Sequence, residues 1–389
     1  MKKEKTIVLV SNTSWSLYNF RLGLIRRLTS EGYNVVAVAP KDNFTAKLVS
    51  EGITYRSISL DNYGTNPINE LKLIRQLARI YREVDADLIF HYTIKPNIYG
   101  SIASFLSKKP SIIITTGLGH LFEFSNIVVQ WITILMYRIA AYLSKEVWFL
   151  NDNDRDVFVY KRIVSRKKAS VLHSEGIDTK WFAPRSDKRH SGSIRFLFAG
   201  RLIWDKGVRE YVEAAKIIKQ KYRKVKFEIL GFTDQTNPNS VPYEQIESWQ
   251  KAKIVNYLGE TTDVRYYLQK ANCLVFPSFY REGVSRILME AAAMATPIIT
   301  TDNVGCKDIV EHEKNGYLVP TKDVQALVQA IERFIELSDV DKDIMGNLGR
   351  KMVIDRFAEG IVLQKYEDTI RRYTDSDSPR QTKRHTYQS

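Results

Sequence analysis

A chain of 389 residues is too long for one ordinary hydrophobic core and suits two domains. Its 44% hydrophobic and 11% aromatic content are those of a folded protein, and its two cysteines, Cys273 and Cys306, supply neither a disulfide framework nor a zinc site. The net charge of +14 points to polyanions or an anionic membrane face as partners. Nucleic acid is not expected, because the chain carries no zinc-finger spacing, helix-turn-helix signature or aromatic single-strand motif.

The N-terminus runs directly into Ile7–Val10, an apolar stretch too short for a signal-peptide core. With the sparse cysteines this predicts a reducing, cytoplasmic location. Further strands are expected at Val35–Ala39, Tyr55–Ser59, Leu88–His91, Ile112–Thr115 and Val147–Leu150, with helices at Leu17–Leu28, Asn69–Glu83 and Pro96–Leu106. The longest apolar stretch, Ile127–Leu143, falls short of the roughly 20 residues of a spanning helix. Two readings stand for it: a buried helix of the first domain, or a helix lying in a membrane interface with Trp131, Tyr137 and Tyr142 among its aliphatics. Lys161, Arg162, Arg166, Lys167 and Lys168 follow it in sequence as candidate lipid-phosphate contacts.

The polar interval from Pro184 to Ser193 has the composition of a linker, after which the alternation restarts. Strands are expected at Ile194–Ala199, Phe227–Leu230, Ile254–Tyr257, Leu274–Phe276 and Ile298–Thr300, and helices at Val208–Tyr222, Arg286–Ala295 and Val324–Leu337. The pattern predicts an α/β protein of two facing, doubly wound, Rossmann-like domains: residues 1–183, a linker at 184–193, and residues 194–373. A last helix near Ile361–Tyr373 is expected to pack back toward the first domain, ahead of a disordered tail at 374–389.

In such sheets ligands bind beyond the carboxyl ends of the strands. The first such loop, Ser11–Trp15, contains no glycine, which argues against a dinucleotide-binding oxidoreductase. The loop after Phe276 places Glu282 before a helix that carries Glu290, with the amides of Gly283, Val284 and Ser285 between them. Free amides at a helix start suit an anion or a sugar hydroxyl, and glycine at 283 admits close approach to the backbone. Read alone, Glu282 can equally be a helix cap and Glu290 an exposed helix acid. The loop after Ala199, Gly200-Arg201-Leu202-Ile203-Trp204-Asp205-Lys206-Gly207, supplies a guanidinium and an ammonium at the same sheet edge, the pair a diphosphate requires.

These features together resemble the retaining glycosyltransferases of family four, the group-one type with the GT-B fold. The most specific element is the pair Glu282 and Glu290 separated by seven residues; the Gly200–Gly207 loop is second, and Gly176-Ile177-Asp178 with Phe182 and Pro184 is third. The resemblance implies that Arg201 and Lys206 neutralise a donor diphosphate, that Glu290 holds ribose hydroxyls, and that Glu282 touches the donor sugar beside Gly283, Val284 and Ser285. Tyr257 and Leu258, with Gly259, would shape the base pocket. Ser285 departs from the proline or glycine of many members.

In the first domain the resemblance is to enzymes that extend undecaprenyl-diphosphate-linked glycans in bacteria, carried by Ser16–Arg21, His91–Gly100 and Thr116–His120. It implies a polyprenyl-diphosphate-linked acceptor, with Arg21, His91, Lys95 and His120 as candidate contacts. For Arg21 and Lys95 a plain helix-surface charge is the competing reading, and for His91 a satisfied structural histidine. No metal and no cofactor are implied, the nucleotide sugar being a substrate. A nucleotide-sugar epimerase of the same architecture, or a non-catalytic glycan- or membrane-binding scaffold, is the alternative.

Overall fold

The computed structural model describes residues 4–62, 64, 66–117, 127–184, 192–234, 237–281 and 283–375. Glu282, His120, most of the expected linker and nearly all of the expected tail lie outside these residues.

The first half of the chain runs β1 (Thr6–Val10), α1 (Ser14–Ser30), β2 (Asn34–Ala39), α2 (Thr45–Ser50), β3 (Thr54–Ser57), α3 (Pro67–Glu83) and β4 (Leu88–Tyr92). It continues through a π-helical turn (Pro96–Gly100), α4 (Ser101–Leu106), β5 (Ser111–Thr115), α5 (Ile127–Leu143), β6 (Glu146–Phe149), α6 (Asp152–Tyr160) and β7 (Ala169–Val171). Its strands form one seven-stranded sheet in the order β3-β2-β1-β4-β5-β6-β7, and β1 to β5 pair in parallel. Strands β1, β4 and β5 are buried at every position, as a parallel strand covered on both faces must be, so they read as unbroken apolar runs.

The second half runs β8 (Ile194–Ala199), α7 (Val208–Lys221), β9 (Val225–Leu230), α8 (Tyr243–Lys251), β10 (Asn256–Tyr257), α9 (Arg265–Lys270) and β11 (Cys273–Phe276). Then follow α10 (Arg286–Ala293), β12 (Ile298–Thr301), β13 (Gly316–Val319), α11 (Val324–Glu336), α12 (Asp339–Phe357) and α13 (Glu359–Thr374). Six parallel strands lie in the order β10-β9-β8-β11-β12-β13. Side-chain caps start the helices where the sequence supplies them: Thr13 on α1, Asn66 ahead of Pro67 on α3, Asn151 on α6, Asp323 on α11 and Ser338 on α12.

By compactness the chain divides into two units. One runs to Ile114 and includes Leu135–Val147 and the chain from Leu363 onward; the other is Thr115–Ile134 with Trp148–Val362. In the first, α13 brings Tyr366 to hydrogen-bond Tyr92 (2.9 Å) and Glu367 to Arg27 (2.8 Å). In the second, Ile177 bonds the backbone of Phe357 and Glu359, and Arg350 donates to the carbonyls of Thr179 (3.2 Å) and Phe182 (3.0 Å).

In both sheets the strand order reverses once, between β1 and β4 and between β8 and β11. The loops leaving these strands therefore flank the two switch points, where open α/β sheets leave a crevice for ligands.

Candidate functional site

At the second switch point, Gly200 follows β8 and Pro277 follows β11. Gly200 has φ +151° and Gly231, at the end of β9, has φ +153°; a Cβ on Gly231 would lie 1.8 Å from the Gly200 carbonyl oxygen. Glycine is needed there because two strand ends meet backbone to backbone. The β8 loop turns through a 3₁₀ segment, Trp204–Lys206, which ends at Gly207 with φ +79°. A Cβ on Gly207 would fall 2.1 Å from the Pro277 carbonyl oxygen. The carbonyl of Asp205 accepts from the backbone N–H groups of Phe279 and Tyr280, both at 2.9 Å. The loop after β8 and the loop after β11 are thus stitched together by backbone bonds.

This stitching brings the two basic residues together. Lys206, only 6% exposed, has its Nζ 5.0 Å from the Tyr280 ring centre and 5.3 Å from that of Phe276. Arg201, exposed, has its guanidinium carbon 6.0 Å from the same Tyr280 ring. Tyr280, which faces both cations, carries no signal of this in the sequence. An aromatic ring two positions before Glu282 attracts both cations electrostatically without neutralising either.

Glu290 lies on α10, whose N-cap position is Ser285. The Ser285 amide donates to the Gly305 carbonyl at 3.0 Å and is therefore engaged within the protein. Glu290 is largely buried and pairs one turn back with Arg286 at 2.9 Å. Burial raises its carboxyl pKa; Arg286 opposes the shift and the negative charge of Asp263 adds to it. Of the expected base-pocket residues, Tyr257 donates its hydroxyl to the Gly231 carbonyl at 2.8 Å and packs edge-on to Tyr243. The Leu258 amide continues the sheet by bonding the Ile229 carbonyl at 2.8 Å.

Gly283 has a second requirement. A Cβ there would lie 2.8 Å from both the Thr116 carbonyl oxygen and Leu150 Cδ1, so the glycine makes room for protein atoms of its own compact unit. Beside it Arg281 reaches Asp154, a fully buried carboxylate, at 3.0 Å, and Asp154 in turn is held by Asn151. This pair was not anticipated from sequence. Its one signal is the Asn151–Asp154 spacing, which is that of a helix cap and says nothing of Arg281.

In the first sheet the four candidates divide differently. His120 lies outside the described residues. His91, at the end of β4, is fully buried; its Nε2 meets the Tyr81 hydroxyl at 3.0 Å, and its Nδ1 finds no partner among the described residues. Burial lowers its pKa to about 3, so the ring is neutral. Lys95 is not a surface charge: it is largely buried and ion-pairs with Glu70 while donating to the Gly64 carbonyl. Arg21 is buried too, its guanidinium 3.9 Å from the Tyr92 ring centre and bonded to the Ser16 carbonyl and hydroxyl. For both cations the structure corrects the helix-surface alternative. No group of His, Cys, Asp and Glu suited to a metal ion occurs among the described residues.

Two doubly wound sheets, the second carrying Arg201, Lys206 and Glu290 on the elements beside its switch point, have the layout of a two-domain α/β transferase fold. The model described as "Glycosyl transferases group 1" matches residues 179–352, and that described as "Glycosyl transferase 4-like" matches residues 6–151. The chain is a glycosyltransferase whose first part is similar to the 4-like family and whose second part is similar to the group 1 family. Over 377 residues it is 26% identical to the Campylobacter jejuni N,N'-diacetylbacillosaminyl-diphospho-undecaprenol alpha-1,3-N-acetylgalactosaminyltransferase, covering 92% of this chain and 96% of that one. It is 24% identical to the Escherichia coli UDP-Gal:alpha-D-GlcNAc-diphosphoundecaprenol alpha-1,3-galactosyltransferase, covering 78% and 79% of the two chains. The fold is that of solved glycosyltransferases. A Rickettsia africae enzyme superimposes with TM-score 0.78 at 16% identity over 96% of this chain and all of the other, and Anabaena HepE in complex with UDP with 0.76 at 19% over 94% and 99%. This is the GT-B architecture.

Proposed function

We propose that the protein transfers a hexose or N-acetylhexosamine from a UDP-linked donor to a sugar carried on a polyprenyl diphosphate, in the assembly of a bacterial capsular, O-antigen or related glycan. The observation that carries this reading is the convergence of Arg201 and Lys206 on the Tyr280 ring at the β8/β11 switch point, with Glu290 on the helix that follows. Two cations held this way suit a diphosphate, and a carboxylate suits ribose hydroxyls. The acceptor class is supported by the names of the Campylobacter and Escherichia relatives, both of which act on undecaprenol-diphosphate-linked sugars, and the choice of UDP by the Escherichia name and the Anabaena complex.

In this reading the glycosidic carbon–phosphate oxygen bond breaks with oxocarbenium character while the acceptor hydroxyl attacks the same face, so configuration is retained. Arg201 and Lys206 stabilise the charge growing on the departing nucleoside diphosphate, an electrostatic contribution that needs no covalent intermediate. The leaving phosphate oxygen takes the acceptor proton. Glu282 and the Gly283–Ser285 segment contact the donor sugar, Tyr257 and Leu258 flank the base, and neither metal nor cofactor takes part. On the acceptor side Arg21, Lys95 and His120 remain the candidates, while the buried His91, bonded to Tyr81, fits the structural reading better. The enzyme works from the cytoplasmic face, peripheral to the membrane that holds its acceptor; among the described residues no helix is long and apolar enough to cross one.

The test is to incubate the full chain with a panel of nucleotide sugars and a lipid-diphosphate-linked monosaccharide, then weigh the products. One added sugar residue on the lipid is the expected result. An acceptor mass that stays unchanged across the whole panel overturns the reading.

A further inference from the structure

Helix α5 is apolar except for Gln130, Thr133 and Arg138, and one of its sides is buried while another is exposed. Ile134, Tyr137, Ala140 and Ala141 are buried. On the opposite side Val128, Trp131, Ile132, Leu135, Ile139 and Tyr142 are between 41% and 80% exposed. At about 100° per residue these six fall within an arc of roughly 100°, with the core-facing residues centred on the reverse. A water-facing helix should carry polar residues there. This one carries a continuous stripe about 20 Å long at 1.5 Å per residue, with aromatic rings toward its two ends.

The charges are arranged to match. The helix contains no acidic residue, and its one basic residue, the exposed Arg138, sits on the edge of the stripe; Lys145, two residues beyond the helix, continues the same edge and is also exposed. Aliphatic centre, Trp and Tyr at the ends and a cationic border are the side chains that partition into the interfacial layer of an anionic bilayer. The helix is too short to span one.

We propose that the exposed face of α5 is the membrane-docking surface of this protein, lying in the headgroup layer of an anionic phospholipid bilayer with Trp131, Ile132 and Leu135 inserted and Arg138 and Lys145 at the phosphates. The inference deepens the reading of a lipid-carried acceptor by naming the surface that holds the enzyme at the membrane. Its test contains neither donor nor acceptor sugar, so its failure leaves that reading standing.

The full chain is mixed with vesicles of phosphatidylcholine alone and of phosphatidylcholine with phosphatidylglycerol, then sedimented. The wild type is expected to sediment with the anionic vesicles. Ile132→Glu with Leu135→Glu is expected to lower the partition coefficient at least about tenfold, since two aliphatic side chains no longer leave water. Arg138→Gln and Lys145→Gln each lower it about fivefold, on anionic vesicles only. A second measurement covers the case of a misfolded double variant: brominated phosphatidylglycerol should quench tryptophan emission of the wild type and markedly less that of Trp131→Phe. Equal sedimentation of wild type and double variant, or equal quenching with and without Trp131, overturns the proposal. A vesicle-free dimer that the double variant abolishes overturns it as well, and gives the face to a second copy of the chain.

Discussion

Replacing Lys206 by methionine separates a substrate-binding role from a structural one. The side chain is 6% exposed and lies 5.0 and 5.3 Å from two aromatic ring centres. Losing two cation–π contacts costs about 0.5–2 kcal/mol each when desolvated. Methionine keeps most of the apolar stem and removes the cost of burying a charge, which offsets the loss of these two ring contacts. A typical domain withstands that loss. The proposed diphosphate contact differs: a charge-assisted hydrogen bond is worth about 1.5–3 kcal/mol, and if it strengthens as the leaving group departs, kcat/KM falls about ten- to a hundredfold. The assay is the initial rate of UDP release at varied donor, alongside thermal unfolding with and without UDP. The expected result is a nearly unchanged midpoint without nucleotide, a smaller upward shift with it, and the loss in kcat/KM. A folded Lys206→Met enzyme with wild-type turnover would refute the reasoning and leave Lys206 as a strut between the β8 and β11 loops.

Gly207→Ala should destabilise by more than about 2 kcal/mol, combining a left-handed backbone with a Cβ 2.1 Å from the Pro277 carbonyl oxygen; an unchanged denaturant midpoint would mean the two loops are not stitched there. Asp154→Asn and Arg281→Gln should each cost between the roughly 0–1 kcal/mol of an exposed pair and the roughly 3–5 of a buried one, since only the carboxylate is fully enclosed. A double-mutant cycle in which the two losses simply add would show that the residues do not interact. His91, with its pKa lowered to about 3, contributes stability that is complete above about pH 6.5 and lost as pH falls toward 3, because the unfolded chain takes up a proton that the native ring refuses. His91→Gln should flatten this acid limb, whose slope is at most about 1.4 kcal/mol per pH unit, and an unaltered limb would place the ring in contact with water. Glu290→Gln should weaken donor binding by calorimetry without lowering the unfolding midpoint at pH 7. The buried carboxyl has a raised pKa, so its ionised form costs stability above the carboxylate range, a cost that disappears as the pH falls and the native state protonates first. Undiminished donor affinity would remove Glu290 from the site.

The sheets were legible because a strand covered on both faces has no polar side to interrupt it; β1, β2, β4 and β8 begin and end within a residue or two of the apolar runs that predict them. The two loops read as donor-binding each follow such a run, and the structure joins them by backbone bonds from Phe279 and Tyr280 to the Asp205 carbonyl. Other elements carried weaker signals. Strand β10 is two residues long, too short for any period, and the expected run from Ile254 reaches the sheet only at Asn256. Helix α12 contains Gly346 and Gly349, which read as breakers. At Gly346 a Cβ would lie 2.2 Å from the Ala295 carbonyl oxygen, so that glycine admits close packing rather than ending the helix. Pro96–Leu106 reads as one helix and proves to be a π-helical turn followed by α4. The Arg281–Asp154 pair spans 127 residues, and nothing local to either residue announces the other.

The distribution of positive charge separates the two sheets more sharply than the sequence does, where Arg21 and Lys95 stand beside Arg201 and Lys206 as four candidate phosphate ligands. At the first switch point Lys95 already gives two of its three N–H donors to Glu70 and Gly64, and Arg21 lies 3.9 Å from the Tyr92 ring centre while donating to Ser16. An incoming diphosphate must compete with a carboxylate for the first and with a ring and a serine for the second, so binding there is reduced by the strength of the contacts it displaces. At the second switch point the partners of Arg201 and Lys206 include an aromatic face, which attracts a cation while leaving its charge intact. In the proposed donor site aromatic rings thus face the cations, whereas the cations of the first sheet are engaged by a carboxylate, a serine and a ring of its own packing.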